Sequence, residues 1–368
     1  MEAGPVASSR PDVSLIIPCF NEVATIGHTV HQVLDYMASR YTGKSFELIL
    51  IDDGSTDGTT NLLMQFMQHF PVVQAVFFKT NQGRGAAIKA GIQRSQGACV
   101  ILLDADLSYD VNHIGEILDN FQSTRSDVVI VSPYRSGGVV RGVPFWRLML
   151  SRAANWILSG FFAENLSTVT CVVRGYRGDL IRRIPLFEEG KELHLEILRK
   201  LGIYQACFSE IPGRLIWKTT KAKPRRKNNL KVARSAKKHL LYGILVKPTH
   251  LFNSIALLFV LLGIYEGWNI LHSVYTYYQP ADAPAGYRLW VAIAAAYAHS
   301  PHTFFIAGLC LILGVQILSF NGILQVLQLQ QEETLRHLLA VLEKQETQNQ
   351  QTQKQQAQTM QNDTQSGL

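Results

Sequence analysis

Four short apolar or β-branched runs, each closed by a polar cluster and followed by a helical-period segment, constrain this chain more than any other feature. Val13 to Ile17 ends at Pro18-Cys19-Phe20-Asn21-Glu22, and Phe46 to Ile51 ends at Asp52-Asp53-Gly54-Ser55. Val72 to Phe78 leads to Asn81-Gln82-Gly83-Arg84-Gly85, and Ala98 to Leu103 ends at Asp104-Ala105-Asp106. The first intervening segment carries Ile26, Val30, Val33, Leu34 and Met37 at helical spacing. Strands alternating with helices predict an α/β fold with a mainly parallel sheet covered on both faces. In such a sheet ligands bind at the carboxyl ends of the strands, where all four polar clusters would gather.

The last cluster carries the most chemistry. Carboxylates at i and i+2 point the same way from extended backbone, so Asp104 and Asp106 can face one hard cation. A cation held by two carboxylates completes its shell with water and phosphate oxygens. Alone, the pair also reads as a solvated acidic turn, and Asp52-Asp53-Gly54-Ser55 as an ordinary turn. Gly83-Arg84-Gly85 is not a dinucleotide fingerprint, because Ile88 takes the third glycine position and the motif follows the third strand. The glycines let backbone approach a ligand, with Arg84 offering charge to a diphosphate.

Taken together and in order, these motifs resemble the inverting family 2 glycosyltransferases and their GT-A fold, over roughly residues 12–215. Within that family the chain looks most like the dolichyl- or polyprenyl-phosphate sugar synthases. Asn81 to Ala87, Asp104 to Ser108, and Trp146-Arg147 followed by Ser151-Arg152-Ala153-Ala154-Asn155 carry that closer resemblance. It implies that Pro18, Phe20, Asn21, Glu22, Asp52 and Asp53 line the base and ribose side of a nucleotide sugar. Asn81, Gly83 and Arg84 would lie near its diphosphate, with Asp104 and Asp106 holding Mg²⁺ or Mn²⁺ beside Ala105. A lipid-phosphate acceptor would meet Arg135, Arg147, Ser151, Arg152 and Arg174, with Glu196 ordering the acceptor loop. The implied reaction moves one sugar, mannose or glucose, from a GDP- or UDP-sugar to polyprenyl phosphate with inversion. The runners-up are a glycolipid or polysaccharide acceptor, or a degenerate transferase fold serving as a membrane scaffold. The chain departs from the family pattern in three places. Pro133 stands where an Arg usually follows the fifth-strand serine, Thr168 replaces an Asp, and Ser108 stands where some members have a further metal ligand. The Gln-x-x-Arg-Trp motif of processive synthases is absent.

The remaining sequence points to a membrane. Apolar residues are 47% of the chain and charged residues 17%, and the apolar excess lies after about residue 248. Leu251 to Tyr278 and Phe304 to Leu327 each reach the ~20 residues that span a bilayer. Ile211 to Pro248 is rich in Lys and Arg and holds no acid, a cytoplasmic flank by the positive-inside rule. Nothing interleaves aromatic with basic residues there, so nucleic acid is not expected as a partner. The expected organisation is a tail (1–12), a transferase domain (13–215), a basic segment (216–248) and two transmembrane helices with their connecting loop (249–329). A tail at 330–368 follows, helical and then Gln-rich and disordered, whose Leu335, Leu338, Leu339 and Leu342 are compatible with a homo-oligomer. The catalytic domain is expected on the cytoplasmic side of a prokaryotic inner or plasma membrane. The five scattered cysteines contain no Cys-x-x-Cys pair, which excludes a zinc ribbon and fits a reducing compartment.

Overall fold

The computed structural model describes residues 10–159, 166–217, 248–279, 284 and 286–366. Two compact units follow one another, Met1–Val246 and Lys247–Leu368. The expected N-terminal tail and the basic segment lie mostly outside the described residues.

The first unit begins with β1 (Val13–Cys19), α1 (Val23–Arg40), β2 (Phe46–Asp52), α2 (Thr59–His69) and β3 (Val73–Phe77). It continues with α3 (Arg84–Arg94), β4 (Cys99–Leu102), α4 (His113–Ser123), β5 (Val128–Ser132), β6 (Val139–Arg141) and α5 (Phe145–Ser159). It closes with β7 (Arg174–Arg177), α6 (Gly178–Arg183), α7 (Leu193–Ile203), β8 (Phe208–Pro212) and β9 (Arg214–Ile216). Seven strands form one sheet in the order β3-β2-β1-β4-β7-β5-β8. Every pairing is parallel except those of β7, which runs against both β4 and β5. This is an α/β arrangement with a mixed, mostly parallel sheet, as the sequence led one to expect.

The β-branched runs explain the core. Leu15, Ile16, Ile17, Leu48, Ile49, Leu50, Ile51, Val100 and Ile101 are all fully buried, as expected for strands covered on both faces. In α1 the buried residues are Ile26, Thr29, Val30, Val33, Leu34 and Met37, one face at helical spacing. Cys19 pairs with Asp52 at the ends of β1 and β2, and Asp52 with Phe77 in β3, so the first three polar loops leave the sheet at one level. The parallel β1–β4 pairing brings the loop after β4 to the same edge.

Two elements were not legible beforehand. β6 and β9 form a separate parallel pair of three residues each. Their segments are too short to show a period. β9 also fastens the segment after β8 to the loop after β4, through a Tyr109–Leu215 bridge and Ile216 N–H donating to the Ser108 carbonyl at 2.8 Å.

The second unit holds α8 (Pro248–Tyr278), α9 (Arg288–His299) and α10 (Pro301–Ser366). Phe252–Tyr278 and Pro301–Gln331, 27 and 31 residues long, are long and apolar enough to cross a membrane. They pack antiparallel, with Asn321 Nδ2 donating to Asn253 Oδ1 at 2.5 Å and Phe252 edge-on to Phe320. Such a polar pair fixes helix register where apolar packing alone is permissive. Leu289 to Ala298, read as a short helix between the spans, falls in α9. One expectation is corrected. The Gln-rich segment from 345 continues α10 to Ser366 as helix, not as disorder. Gln, Glu, Lys and Ala are good helix formers, and an established helix extends into them without a new nucleation cost.

Candidate active site

The first three polar loops are stitched together by the acids and amides that the sequence singled out. Asn21 adopts φ +54°. Its N–H donates to Ser55 Oγ, and its side-chain oxygen accepts from Thr56 N–H. Asp52 accepts from Ser55 N–H and Thr60 Oγ. Glu22 accepts from Thr25 Oγ, and its own N–H donates to Thr59 Oγ. Pro18 lies on β1 opposite Ile51, and Phe20 is exposed at the rim. Gly54 sits at φ +73°, and a Cβ there would fall 2.6 Å from the Thr80 carbonyl carbon. Only glycine lets the second loop lie this close to the third.

Asp53 shapes the third loop. Its carboxylate accepts from Gln82 N–H at 2.7 Å, Gly83 N–H at 3.0 Å and Asn81 Nδ2 at 3.0 Å. Burial pushes its carboxyl up, against the two N–H groups that pull it down. In the structure Asp53 is therefore the residue that presents Gly83 and the start of α3. Arg84, the first residue of α3, extends its guanidinium to Asp104 Oδ1.

The end of β4 places Asp104 and Asp106 as a pair. Asp104 is nearly buried; burial raises its carboxyl, Arg84 lowers it and Asp106 raises it again. Asp106 Oδ1 accepts from Ser108 N–H at 3.0 Å and Ser108 Oγ at 2.6 Å. The Ala105 carbonyl accepts from Thr29 Oγ at 2.8 Å, which pins the turn to α1. Among the described residues no group of three or more His, Cys, Asp or Glu gathers. The end of β4 thus offers two hard carboxylates. That set fits Mg²⁺ or Mn²⁺ completed by diphosphate oxygens and water, and does not fit a closed zinc cage.

The expected acceptor residues divide. Tyr134 O–H donates to Ser151 Oγ at 2.8 Å, and Arg152 stacks on the Tyr134 ring at 5.8 Å. Arg147 lies over both the Trp146 and Trp217 rings, at 5.1 and 5.6 Å. Arg135 is half exposed, 4.0 Å from Glu210. Arg174 does not join them. It is fully buried on β7, and its guanidinium donates to the carbonyls of Val169 and His194. An arginine in a central strand holds backbone there and cannot reach a lipid phosphate. Glu196 is buried on α7, where it accepts from Phe187 and Glu188 N–H and from Lys200. It anchors a strap whose Glu189 carbonyl accepts from Ala86 N–H at the start of α3.

Four further residues, Glu210, Asn155, Tyr109 and Cys171, were given no role by the sequence. Glu210 accepts from Ser167 N–H, Ser167 Oγ and Thr168 N–H. It brings a carboxylate from β8 to the backbone of the 167–168 loop. Its signal was a lone acid in the middle of the strand segment Phe208–Pro212. Asn155 Oδ1 receives Val169 N–H and the Thr168 and Thr170 hydroxyls, which completes that loop. Tyr109 and Cys171 hydrogen-bond to each other beside Asp104, and burial pushes the Cys171 thiol up to about 11, so it is protonated and inert.

Comparison with known proteins places this geometry in a family. Residues 14–184 match the family described as Glycosyl transferase family 2. Over that stretch the first unit is similar to the glycosyltransferases of that family. A dodecaprenyl-phosphate galacturonate synthase of Rhizobium johnstonii is 29% identical over 181 residues, 48% of this chain and 51% of the relative. An undecaprenyl-phosphate 4-deoxy-4-formamido-L-arabinose transferase of Pseudomonas paraeruginosa is 30% identical over 170 residues, 46% of this chain and 48% of the relative. The chain thus spans about half the length of the curated relatives it matches. A mannosyltransferase from Pyrobaculum calidifontis, solved with GDP-Man and Mn²⁺, is similar at 15% identity and a TM-score of 0.45, over 87% of this chain and 81% of that one.

Proposed function

We propose that this protein transfers a single sugar from a nucleoside-diphosphate sugar to polyprenyl phosphate, with inversion, at the cytoplasmic face of a membrane. One observation carries the reading. The loops stitched by Asn21, Asp52 and Asp53, the Arg84 end of α3, and the Asp104–Asp106 pair share one sheet edge. Arg147 over the Trp146 and Trp217 rings, Arg152 over Tyr134 and Arg135 near Glu210 supply cations from the later part of the same unit. The relatives' use of polyprenyl phosphates supports the acceptor class.

The first two loops hold the nucleoside. The positive N-terminal end of α3, with Arg84, would meet its diphosphate, because a helix N-terminus favours anions. A divalent ion held by Asp104 and Asp106 would supply neutralisation of the charge that builds on the departing diphosphate. An acceptor phosphate is already an anion, so it needs holding and aiming, not deprotonation. Arg147, Arg152 and Arg135 provide that, with Ser151 and Tyr134 fixing Arg152. Its oxygen attacks the anomeric carbon from the face opposite the diphosphate. The new C–O bond forms as the bond to the diphosphate breaks, and configuration inverts.

Mannose and glucose lead as donor sugars by family resemblance. The relatives' galacturonate and 4-deoxy-4-formamido-arabinose belong in the same screen. Purified full-length protein with Mg²⁺ or Mn²⁺ should release nucleoside diphosphate from one member of a donor panel only when polyprenyl phosphate is present. Release from no donor, or release indifferent to the lipid, would sink the proposal.

A further inference from the structure

The turn that carries Asp106 is strained and needs support from outside. Leu107, its neighbour, adopts φ +45°, a left-handed backbone that leucine rarely takes. Such a residue keeps its conformation only where the surrounding structure holds it. On one side the hold is the Tyr109–Cys171 hydrogen bond. On the other it is β9. Ile216 N–H donates to the Ser108 carbonyl at 2.8 Å, and Leu215 bridges Tyr109. Ser108 in turn donates twice to Asp106 Oδ1, from its N–H and from its hydroxyl. The position of β9 is thus passed to Asp106 through Ser108.

β9 is itself fastened by a cluster that the transfer chemistry does not use. Arg214 N–H donates to His113 Nε2 at 2.9 Å. The Arg214 guanidinium reaches Glu116 Oε1 at 2.6 Å and Asp110 Oδ2 at 3.5 Å. His113 Nδ1 lies 2.6 Å from Glu116 Oε2. A neutral ring with its proton on Nδ1 satisfies both contacts, since Nδ1–H donates to the carboxylate and Nε2 accepts from the backbone. A protonated ring cannot, because its Nε2–H would point at the Arg214 N–H. The charged groups around the ring are Glu116 from its own helix, Asp110 from the preceding loop and Arg214 from β9. The Tyr109 ring lies edge-on at 6.2 Å. The imidazole is fully buried, and burial lowers its pKa from 6.5 despite the two carboxylates.

We infer that Arg214, His113 and Glu116 form a proton-sensitive clasp that positions the Asp106 turn through β9. None of the three touches substrate or cation; they are positioning residues. With His113 neutral the clasp is closed, and Ser108 is held against Asp106. When His113 takes a proton at Nε2, the bond from Arg214 N–H is lost, β9 loosens and Asp106 loses its fixed direction. Cation binding at Asp104 and Asp106 then weakens beyond what protonation of those two carboxylates causes. That last consequence rests on the proposed cation site; the clasp itself does not.

The test uses the full-length protein at about pH 7.5 and about pH 5.5, on either side of the ordinary histidine value. Amide hydrogen exchange, corrected for the intrinsic effect of pH, reads the clasp. Mn²⁺ alone, titrated by electron paramagnetic resonance, reads the cation site. In the parent, segments 106–112 and 213–217 should lose protection at the lower pH by about fivefold, the worth of one hydrogen bond, while β1 and β2 keep theirs. His113→Gln puts an amide oxygen near the place of Nε2 and does not titrate, so its protection should hold at both pH values. Mn²⁺ affinity should fall further on acidification in the parent than in His113→Gln, by a similar factor. Equal loss of protection in parent and variant overturns the inference, and so does a parent that loses none. Should His113→Gln fail to fold, Arg214→Gln decides, since it keeps the backbone donor and gives up both carboxylates. It should loosen 106–112 already at the higher pH with β1 and β2 unchanged; a loop as protected as the parent's overturns the inference. Protection that follows His113 in a chain that binds no Mn²⁺ keeps the clasp and loses the cation site. Mn²⁺ binding with the same pH response in parent and His113→Gln, and no change in protection, does the opposite.

Discussion

Replacing Asp53 by Ala tests how the donor loops are built. Its carboxylate is the acceptor for Gln82 N–H, Gly83 N–H and the Asn81 amide, and the residue is 3% exposed. An unsatisfied buried donor costs about 1–3 kcal/mol. Water entering the space left by Asp53→Ala recovers part of the three, so the net loss is about 2–4 kcal/mol. In a domain of this size each kcal/mol lowers Tm by about 2–4 °C, so the variant should melt roughly 5–15 °C below the parent. The loop it releases also carries Gly83 and Arg84, so UDP or GDP should bind at least ~10-fold more weakly, a change of about 1.4 kcal/mol. The assays are thermal unfolding followed by near-ultraviolet dichroism and calorimetric titration with each nucleotide, on the full-length protein. Asp53→Asn keeps one acceptor oxygen and should fall between the two. If Asp53→Ala melted within about 2 °C of the parent and bound nucleotide as tightly, the claim that this carboxylate shapes the loop would be wrong.

Three further outcomes are expected. Asp104→Ala and Asp106→Ala should each abolish turnover and weaken Mn²⁺ binding measured by electron paramagnetic resonance; full activity in either removes that residue from the metal site. Glu210→Gln, which weakens a charge-assisted cap on Ser167 and Thr168, should raise KM for the lipid acceptor by roughly tenfold with donor KM unchanged; an equal change in both parameters assigns Glu210 to general stability. His113 Nε2 accepts from Arg214 N–H at 2.9 Å while Nδ1 faces Glu116 at 2.6 Å, with Asp110 also near, so the ring is neutral. Burial lowers its pKa from 6.5 despite Glu116, so its stabilisation is complete above 6.5 and lost as pH falls through the lower folded value. The thermal midpoint should drop between pH 7 and pH 5 in the parent and drop less in His113→Asn; identical slopes exclude His113.

What could be read in advance follows from physics that acts locally. The β1, β2 and β4 runs announce themselves because strands buried on both faces must be continuously apolar. The polar clusters then fall at one edge by topology alone. Arg174 shows the limit, because a strand arginine looks the same in sequence whether it meets solvent or holds carbonyls inside the sheet. Glu210 was hidden for the converse reason. Its partners, Ser167 and Thr168, lie more than forty residues away, and no local period marks the meeting. The β6–β9 pair depends on such distant contacts as well. The helix through the Gln-rich segment reflects a conflict between composition, which signals disorder, and residue propensity, which permits extension of an existing helix.

The most direct measurement is mass analysis of the lipid after incubation of the full-length protein with its nucleotide sugar, a divalent cation and polyprenyl phosphate. The account requires a product heavier by one glycosyl unit, formed in step with nucleoside diphosphate and absent with Asp106→Ala. Nucleoside diphosphate released without a glycosylated lipid, or a lipid bearing a chain of sugars, would contradict it.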